Sequence, residues 1–381
     1  MMMAVLQLIS AIWAITAGLL SLILVGVAVT WDGRAFAVAA LLVSFAPIVA
    51  LFGNAAKRLR RRPAAKMMGA VALVLTLLLV WRAPSGKAPA NANVRNQYPD
   101  GRRHFRFALG DLLPEVDQLM LGMTLVTFID PLFTHEQSRR VKPLTAEIYR
   151  ELERDPEFHA LGSILPAAYD EVWGGDFDHG HSFLYIPSTY DRSKPGPALV
   201  FLHGSGGNFK AYLWLISRMA DRLNVAVIAP TCGMGNWQRS DVEKLVNRAI
   251  SSCSRHLRID RDNLHAMGLS NGGLALSQLL HASSVTFQSY TFLSPVFDEA
   301  RIQTFEVTNS ARRPSLFILT GSRDDRVPAI YVRRMANQLS TRGASVAMQE
   351  IPGADHFALF SHREQMMRSV EAWLRLNHAG Q

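Results

Sequence analysis

The chain has 381 residues, of which 49% are apolar, and its formal net charge is +9. Residues 1–84 hold eight Lys or Arg and one acid, Asp32, so +7 of that charge lies there and +2 remains for residues 85–381. A nucleic-acid-binding domain needs a basic face on its folded surface, so this distribution argues against nucleic acid as a partner.

Three uncharged runs occupy the N-terminal segment: residues 1–31, Ala35–Ala56 and Met67–Trp81. The first two exceed the roughly 20 residues that cross hydrocarbon, and the third is flanked by Lys66 and Arg82, which can reach the headgroups. A cleaved signal peptide has one short apolar run, not three. Residues 1–84 are therefore predicted to be a three-span membrane anchor, with the bilayer as a partner.

The loops between these runs predict the orientation of the anchor. Five of the six residues in Lys57–Arg62 are basic, and such a short connection stays cytoplasmic. Three spans then put everything after Arg82 outside the cytoplasm, although Arg82, Lys87 and Arg95 favour the reverse orientation. We expect a multi-pass protein of a bacterial-type inner membrane with its C-terminal part in the periplasm.

Two segments separate the anchor from the rest. Residues 85–98 are rich in Ala, Pro and Asn without an apolar period and are predicted to be a linker. Residues 99–180 are predicted to be a helical extension or partial cap, helical over Leu144–Leu152. Their apolar stretch Leu119–Ile129 is too short to cross a bilayer.

From residue 181 to residue 381, short apolar runs alternate with helical patterns, which predicts an α/β domain with a mostly parallel sheet flanked by helices. In such sheets the reactive side chains follow the carboxyl ends of strands. The predicted strands are His181–Ile186, Ala198–His203, Val225–Pro230, Leu264–Leu269, Tyr290–Leu293, Leu316–Thr320 and Val346–Ile351. The main predicted helices are Lys210–Leu223, Val242–His256, Gly273–Ala282, Tyr331–Arg342 and Ser361–Leu376.

The segment Gly268-Leu269-Ser270-Asn271-Gly272 fits G-x-S-x-G between a predicted strand and a predicted helix. In that context the pattern places a serine hydroxyl on a sharp, exposed turn, so Ser270 is the candidate nucleophile. A structural serine turn is the alternative interpretation.

A glycine-rich loop, His203-Gly204-Ser205-Gly206-Gly207-Asn208, follows the strand before it. Successive backbone N–H groups in such a loop can bind an oxyanion. We expect the amides of Ser205 and Asn271 to do so, with Gly206 as the substitute donor. A phosphate loop is the alternative, but the Lys-Ser/Thr ending of a nucleotide cradle is missing.

A carboxylate and an imidazole follow later strands and complete the order Ser, Asp, His. Of the neighbours Asp324 and Asp325, Asp324 has the better motif position, and Asp298 is a weaker substitute. His356 follows the last predicted strand, and imidazole is suited to take the serine proton and return it. These residues are the predicted orienting acid and general base.

Three further features have weaker interpretations. Asp176, Asp178, His179 and His181 could hold a metal, but ligand types crowded before a strand are more often a polar turn, so no metal is predicted. Met234 and Trp237 are the tentative substrate-pocket residues. Cys232 and Cys253 have no CxxC spacing, and about 12 residues of helix, roughly 18 Å, separate them too far for a disulfide.

HGSGGN at 203–208, GLSNGG at 268–273, GSRDDRVP at 321–328 and GADHF at 353–357 together resemble the α/β-hydrolase superfamily. The similarity covers about residues 180–376 and is greatest with the esterase, depolymerase and dienelactone-hydrolase-like branch. Prolyl-oligopeptidase-type peptidases, whose catalytic domain shares the fold, are also similar. The large cap that many relatives insert between two late strands is missing, since only about 20 residues separate Leu293 from Leu316.

The resemblance implies a Ser270 nucleophile, a His356 base and an Asp324 acid, without a cofactor. It implies a serine esterase acting on a small-molecule or lipid-like ester. A peptidase or an acyltransferase on the same three residues is the alternative, as is a catalytically silent, membrane-tethered interaction module.

Overall fold

The computed structural model describes residues 2–52, 55–89, 91–98, 109–172, 180–307 and 313–377. Its contacts divide the chain into two compact units. The first comprises Met1–Ser85 with Phe105–Ala146, and the second comprises Gly86–His104 with Glu147–Gln381. The segment 99–180, which was predicted from the sequence as a single extension, is thus divided between the two units.

The first unit is helical. Three of its helices are long and apolar enough to span a membrane, over Met2–Val27, Trp31–Leu51 and Arg60–Arg82. The third is longer than the uncharged run Met67–Trp81 because the helix continues back through basic residues. The helices are α1 Met2–Val27, α2 Trp31–Leu51, α3 Ala55–Arg82, α4 Leu109–Leu112 and α5 Glu115–Leu125, then a 3₁₀ turn at Val126–Phe128 and α6 His135–Leu152, which ends in the second unit.

The second unit contains one eight-stranded sheet in the order β1-β2-β4-β3-β5-β6-β7-β8. The pairs β1/β2 and β2/β4 are antiparallel, and the remaining five pairs are parallel. The strands are β1 Val94–Gln97, β2 Ser182–Tyr185, β3 Pro195–Leu202, β4 Ala226–Pro230, β5 Arg258–Leu269, β6 Ser289–Leu293, β7 Ser315–Gly321 and β8 Ser345–Ile351.

Helices accompany the strands, as the alternating pattern predicted. They are α7 Pro156–Ala160, α8 Leu165–Val172, α9 Lys210–Leu223, α10 Val242–Cys253, α11 Gly272–Leu279, α12 Glu299–Thr304, α13 Ala329–Thr341, α14 Ala358–Ser361 and α15 Arg363–Asn377, with a 3₁₀ turn at Trp237–Arg239. Strand order and connections are those of the α/β-hydrolase fold, so the predicted fold class is confirmed.

The central strands form because their side chains are buried on both faces of the sheet. In β3, all five residues from Ala198 to Leu202 are fully buried, and Ala226 and Ile228 of β4 belong to the same core cluster. The carboxyl ends of β3, β5, β7 and β8 lie at one edge of the sheet. His203, Ser270, Asp324 and His356 follow these four ends.

The prediction of a linker over residues 85–98 is wrong for Val94–Gln97, which form the edge strand β1. Three of the four residues of this strand are polar, so it has no apolar run. Its polar side chains instead make hydrogen bonds to residues that are distant in the sequence. Arg95 Nη1 lies 3.2 Å from His256 Nδ1, and Gln97 Oε1 lies 3.2 Å from His256 Nε2. An edge strand stabilised by polar contacts leaves no hydrophobic alternation in the sequence.

Cys232 and Cys253 are both buried and form no disulfide with each other, as predicted.

Candidate active site

Ser270 occupies a strained turn between β5 and α11. Its φ is 49°, a left-handed conformation that non-glycine residues rarely adopt. A Cβ on Gly268 would come within 2.5 Å of the Gly272 carbonyl oxygen, and one on Gly272 within 2.1 Å of the Leu202 carbonyl oxygen. The two glycines of the motif are therefore required for the chain to turn this tightly, and the turn separates the Ser270 side chain from the strand.

Three side chains from three loops form a hydrogen-bonded line. Ser270 Oγ lies 3.0 Å from His356 Nε2, and His356 Nδ1 lies 2.9 Å from Asp324 Oδ2. The His356 side chain is 10% exposed and that of Asp324 is fully buried. If Nδ1 donates to the carboxylate, Nε2 is left as the acceptor of the serine proton.

The Asp324 carboxylate is held in place by its own loop. Its Oδ1 accepts from the backbone N–H groups of Arg326 at 3.1 Å and Val327 at 2.8 Å. Asp325, the other predicted candidate, is exposed. Asp298, the weaker substitute, instead accepts from Arg301 N at the start of α12. Only Asp324 of the three is hydrogen-bonded to His356.

The predicted oxyanion donors differ in availability. Within the residues that the structure describes, the backbone amides of Ser205 and Asn271 donate to no protein acceptor. The amide of Gly206 donates to the carbonyl of Met234 at 2.9 Å, so it is already used. Gly206 is therefore wrong as the substitute donor in this conformation. The bonding of a loop amide cannot be read from a glycine-rich sequence.

Two aromatic side chains hold the glycine-rich loop. His203 Nδ1 lies 2.8 Å from the Gly204 carbonyl oxygen, and its Nε2 accepts from Cys232 N at 3.0 Å. Burial lowers the pKa of His203 to about 4, which keeps the ring neutral with the proton on Nδ1. Trp237 Nε1 donates to the His203 carbonyl oxygen at 2.9 Å.

Trp237 is fully buried in the core, so its assignment to the substrate pocket is wrong. A tryptophan in a loop can turn toward the core when its N–H finds an acceptor there, here the His203 carbonyl. Met234 is half-buried, and its carbonyl serves the Gly206 amide.

A second network, missed in the sequence, reaches the same loop. Asn208 Nδ2 donates to Thr231 Oγ1 at 3.1 Å, and Thr231 Oγ1 lies 2.7 Å from His181 Nδ1. His181 Nε2 lies 3.0 Å from Asn96 Oδ1 in β1, and Asn96 Nδ2 donates to the Leu161 carbonyl at 2.9 Å. One tautomer satisfies the chain: Thr231 donates to Nδ1 while Nε2–H donates to Asn96.

His181 is thus a hydrogen-bonding residue of this network. Asp176, Asp178 and His179, the other members of the weighed metal site, lie outside the described residues. Among the residues that are described, no group of three or more His, Cys, Asp or Glu is arranged to hold a metal.

Part of the predicted extension packs beside the glycine-rich loop. A Cβ on Gly207 would lie 3.2 Å from Leu165 Cδ2 and 3.3 Å from Ala168 Cβ, both in α8. α8 therefore packs closely at this position, and the φ of 123° at Gly207 favours glycine there.

Comparisons with known proteins give one family match over part of the chain and a set of similar solved structures. Residues 299–380, which include Asp324 and His356, match the prolyl oligopeptidase family. No curated protein matches the chain. A butyrate-bound thermophilic esterase from the Planctomycetes species Thermogutta terrifontis is 16% identical with a TM-score of 0.42, over 53% of this chain and 91% of that one. A CIB-like hydrolase from Thermoplasma acidophilum is 15% identical with a TM-score of 0.41, over 51% and 92%.

Proposed function

We propose that this protein is a membrane-anchored serine hydrolase that cleaves carboxylic esters through an acyl-enzyme on Ser270. The observation that carries the proposal is the hydrogen-bonded line from Ser270 Oγ through His356 to the buried carboxylate of Asp324. A neutral serine hydroxyl is a weak nucleophile, and an imidazole that accepts its proton removes that limitation.

In the proposed reaction, Ser270 Oγ attacks the ester carbonyl carbon while its proton passes to His356 Nε2. Asp324 stabilises the imidazolium, and the amides of Ser205 and Asn271 bind the oxygen that becomes negative. The intermediate collapses to acyl-Ser270, and the departing alkoxide takes the proton from His356. Water, deprotonated by the same imidazole, then releases the acid and regenerates the hydroxyl. No metal or organic cofactor takes part.

Esters are the first substrate class to test because an alkoxide leaves with less help from a general acid than an amine does. A peptidase is the second candidate, favoured by the match of residues 299–380 to the prolyl oligopeptidase family. An acyltransferase that uses an alcohol as acceptor would form the same acyl-enzyme. A catalytically silent interaction module would form no acyl-enzyme.

The test is turnover of a short-chain p-nitrophenyl ester by the full chain and by Ser270→Ala, together with labelling by a fluorophosphonate probe. We expect Ser270→Ala to lose both, and Ser251→Ala, an exposed serine on α10, to retain both. Activity in Ser270→Ala would refute the nucleophile. A wild-type protein that is not labelled would favour the silent module, and a strong preference for peptides over esters would favour the peptidase.

We also propose that α1, α2 and α3 cross a bacterial-type inner membrane and that the second unit, which we call the hydrolase unit, lies in the periplasm. The length and apolar character of the three helices support the crossing. The basic cluster Lys57–Arg62 at the start of α3 supports the orientation.

A further inference from the structure

A long apolar surface segment belongs to the first unit but to none of its three membrane-length helices. Residues 119–133, in α5 and the turn after it, contain one charged side chain, Asp130. At its end, Phe128 is 73% exposed, Ile129 80% and Leu132 50%. We refer to these three side chains as the apolar tip. Clustered exposed apolar side chains of this size mark a contact surface rather than ordinary protein surface.

The segment is fixed to the helices by a buried carboxylate at its start. Asp117 Oδ1 accepts from Val29 N at 2.7 Å and from Thr30 N at 3.3 Å, and Oδ2 accepts from the Thr30 hydroxyl. These donors lie in the connection between α1 and α2. In the same place, Leu113 packs with Leu24, Ala28 and Ala37, and Leu121 packs against this cluster. α5 therefore has a defined position at this end of the helices.

This end of the helices has the features of a membrane–water interface. Trp31 begins α2 and is 57% exposed, while Trp81 near the end of α3 is 75% exposed. Arg82 pairs with Asp32 at 2.6 Å, and its guanidinium lies 5.8 Å from the Trp31 ring centre. Exposed tryptophans and paired charges at helix ends are typical of the headgroup level.

We propose that the apolar tip inserts into the bilayer at this interface, as a contact additional to the three crossing helices. The segment is too short to cross, and a run of this length is typical of an interfacial element. Lys142, whose Nζ lies 2.6 Å from Thr124 Oγ1, supplies a cation beside it for lipid phosphates. The occupant is lipid because the segment is continuous with the surface of helices that lipid already surrounds. The inference rests on the proposed membrane anchoring.

Site-specific fluorescence quenching tests the insertion. Both native cysteines are buried, so a single introduced cysteine can carry an environment-sensitive fluorophore in the full chain. Ile129→Cys reports the tip. Leu19→Cys in α1, 56% exposed, reports a crossing helix, and Ile330→Cys in α13, 71% exposed, is a matched isoleucine in the second unit. Each protein is reconstituted in nanodiscs with and without lipids that carry a doxyl quencher on the acyl chain.

We expect the labels at 129 and 19 to be quenched several-fold more strongly than the label at 330. Quenching at 19 without quenching at 129 would overturn the inference and leave the membrane anchoring intact. A lack of quenching at 19 would overturn the anchoring itself. If the label at 129 is shielded from water, unquenched by lipid and dependent on protein concentration, a second copy of the chain covers the tip and the inference is wrong.

Discussion

Asp324 and Asp325 are adjacent carboxylates in very different surroundings. Asp324 is buried and hydrogen-bonded to His356, whereas Asp325 is exposed. Replacing Asp324 by Asn keeps the shape but removes the charge that stabilises an imidazolium and fixes the proton on Nδ1. We expect kcat for a p-nitrophenyl ester to fall on the order of 10³- to 10⁴-fold, as for other triads that lose this acid.

The adjacent residue provides the control for this change. Asp325→Asn removes the same charge one position away, and we expect kcat to stay within about two-fold of wild type, because exposed charges are screened by solvent. If both substitutions lowered kcat equally, the negative charge of the loop would matter for catalysis, and not the hydrogen bond between Asp324 and His356.

His203 is a buried imidazole whose protonation opposes folding. Its pKa is about 4 in the folded protein against an ordinary value of 6.5, so the unfolded chain binds a proton that the folded chain rejects. Its contribution to stability is complete above pH 6.5 and is lost as the pH falls from 6.5 toward 4. Between pH 7 and pH 5 we expect the free energy of unfolding to drop by about 2 kcal/mol from this residue.

Urea unfolding of the second unit at both pH values, followed by tryptophan fluorescence, measures this change. His203→Gln can keep a donor and an acceptor but cannot titrate. We expect that variant to lose less stability than wild type between pH 7 and pH 5, by about the same 2 kcal/mol. An unchanged pH slope in the variant would show that other groups cause it.

The roles of site residues could be predicted from the sequence where a motif determines them. They could not be predicted where a contact between distant residues determines them. Ser270, Asp324 and His356 each follow a strand end, and the structure brings all three into hydrogen-bonding distance. The buried position of Trp237 and the bonded amide of Gly206 depend on distant carbonyls, those of His203 and Met234. No local pattern in the sequence indicates such partners.

At the scale of elements, the turn between β5 and α11 allows almost no added volume. A methyl group on Gly272 would lie 2.1 Å from the Leu202 carbonyl oxygen, which belongs to β3. Because backbone cannot move away as a side chain does, we expect Gly272→Ala to destabilise the fold by 3 kcal/mol or more, roughly the upper range for overpacking. Loss of soluble yield and of the thermal transition would be the measured result.

Gly69→Ala in α3 is the control, since a Cβ there meets nothing within 4 Å. We expect yield and esterase activity to remain at the wild-type level, because alanine is also the better helix former. A Gly272→Ala protein with normal stability would contradict the close packing of β3 and α11.

Thr231 joins β4 to the glycine-rich loop through Asn208 and to β1 through His181 and Asn96. Thr231→Val keeps the volume but leaves buried donors and acceptors without their partner. We expect a loss of about 1–3 kcal/mol in the free energy of unfolding and a lower kcat, because Asn208 then keeps its bond to the Ala229 carbonyl of β4 but loses the link to His181 that also holds the loop carrying Ser205. Thr304→Val on the exposed end of α12 should change neither by more than about 0.5 kcal/mol.

The positions of helices and strands could be predicted where most of their side chains are apolar and buried. Seven strands were located from the sequence. Burial on both faces leaves an apolar run in the central strands, whereas β8 at the edge is only partly buried and was located from the shorter apolar stretch at its start. β5 begins at Arg258, six residues before the predicted Leu264, since its first half is polar. β1 was missed for the same reason.

At the scale of the whole molecule, the proposed side of the membrane for the second unit depends on the charge of one short basic cluster, Lys57–Arg62 at the start of α3. This cluster favours the cytoplasmic side, and the charges of Asp32 and Arg34 at the start of α2 cancel. We expect Ser251→Cys, exposed on α10, to react with a membrane-impermeant maleimide in intact spheroplasts, and Arg61→Cys to react only after permeabilisation.

The reverse pattern would place the hydrolase unit in the cytoplasm, as Arg82, Lys87 and Arg95 favour. In both proposed arrangements Arg61, at the start of α3, and the hydrolase unit lie on opposite sides, because the apolar part of α3 separates them. If both cysteines reacted equally before permeabilisation, α3 would not cross, and the chain would hold its hydrolase unit at the membrane by two spans rather than three. The pair of positions therefore tests the number of crossings as well as their direction.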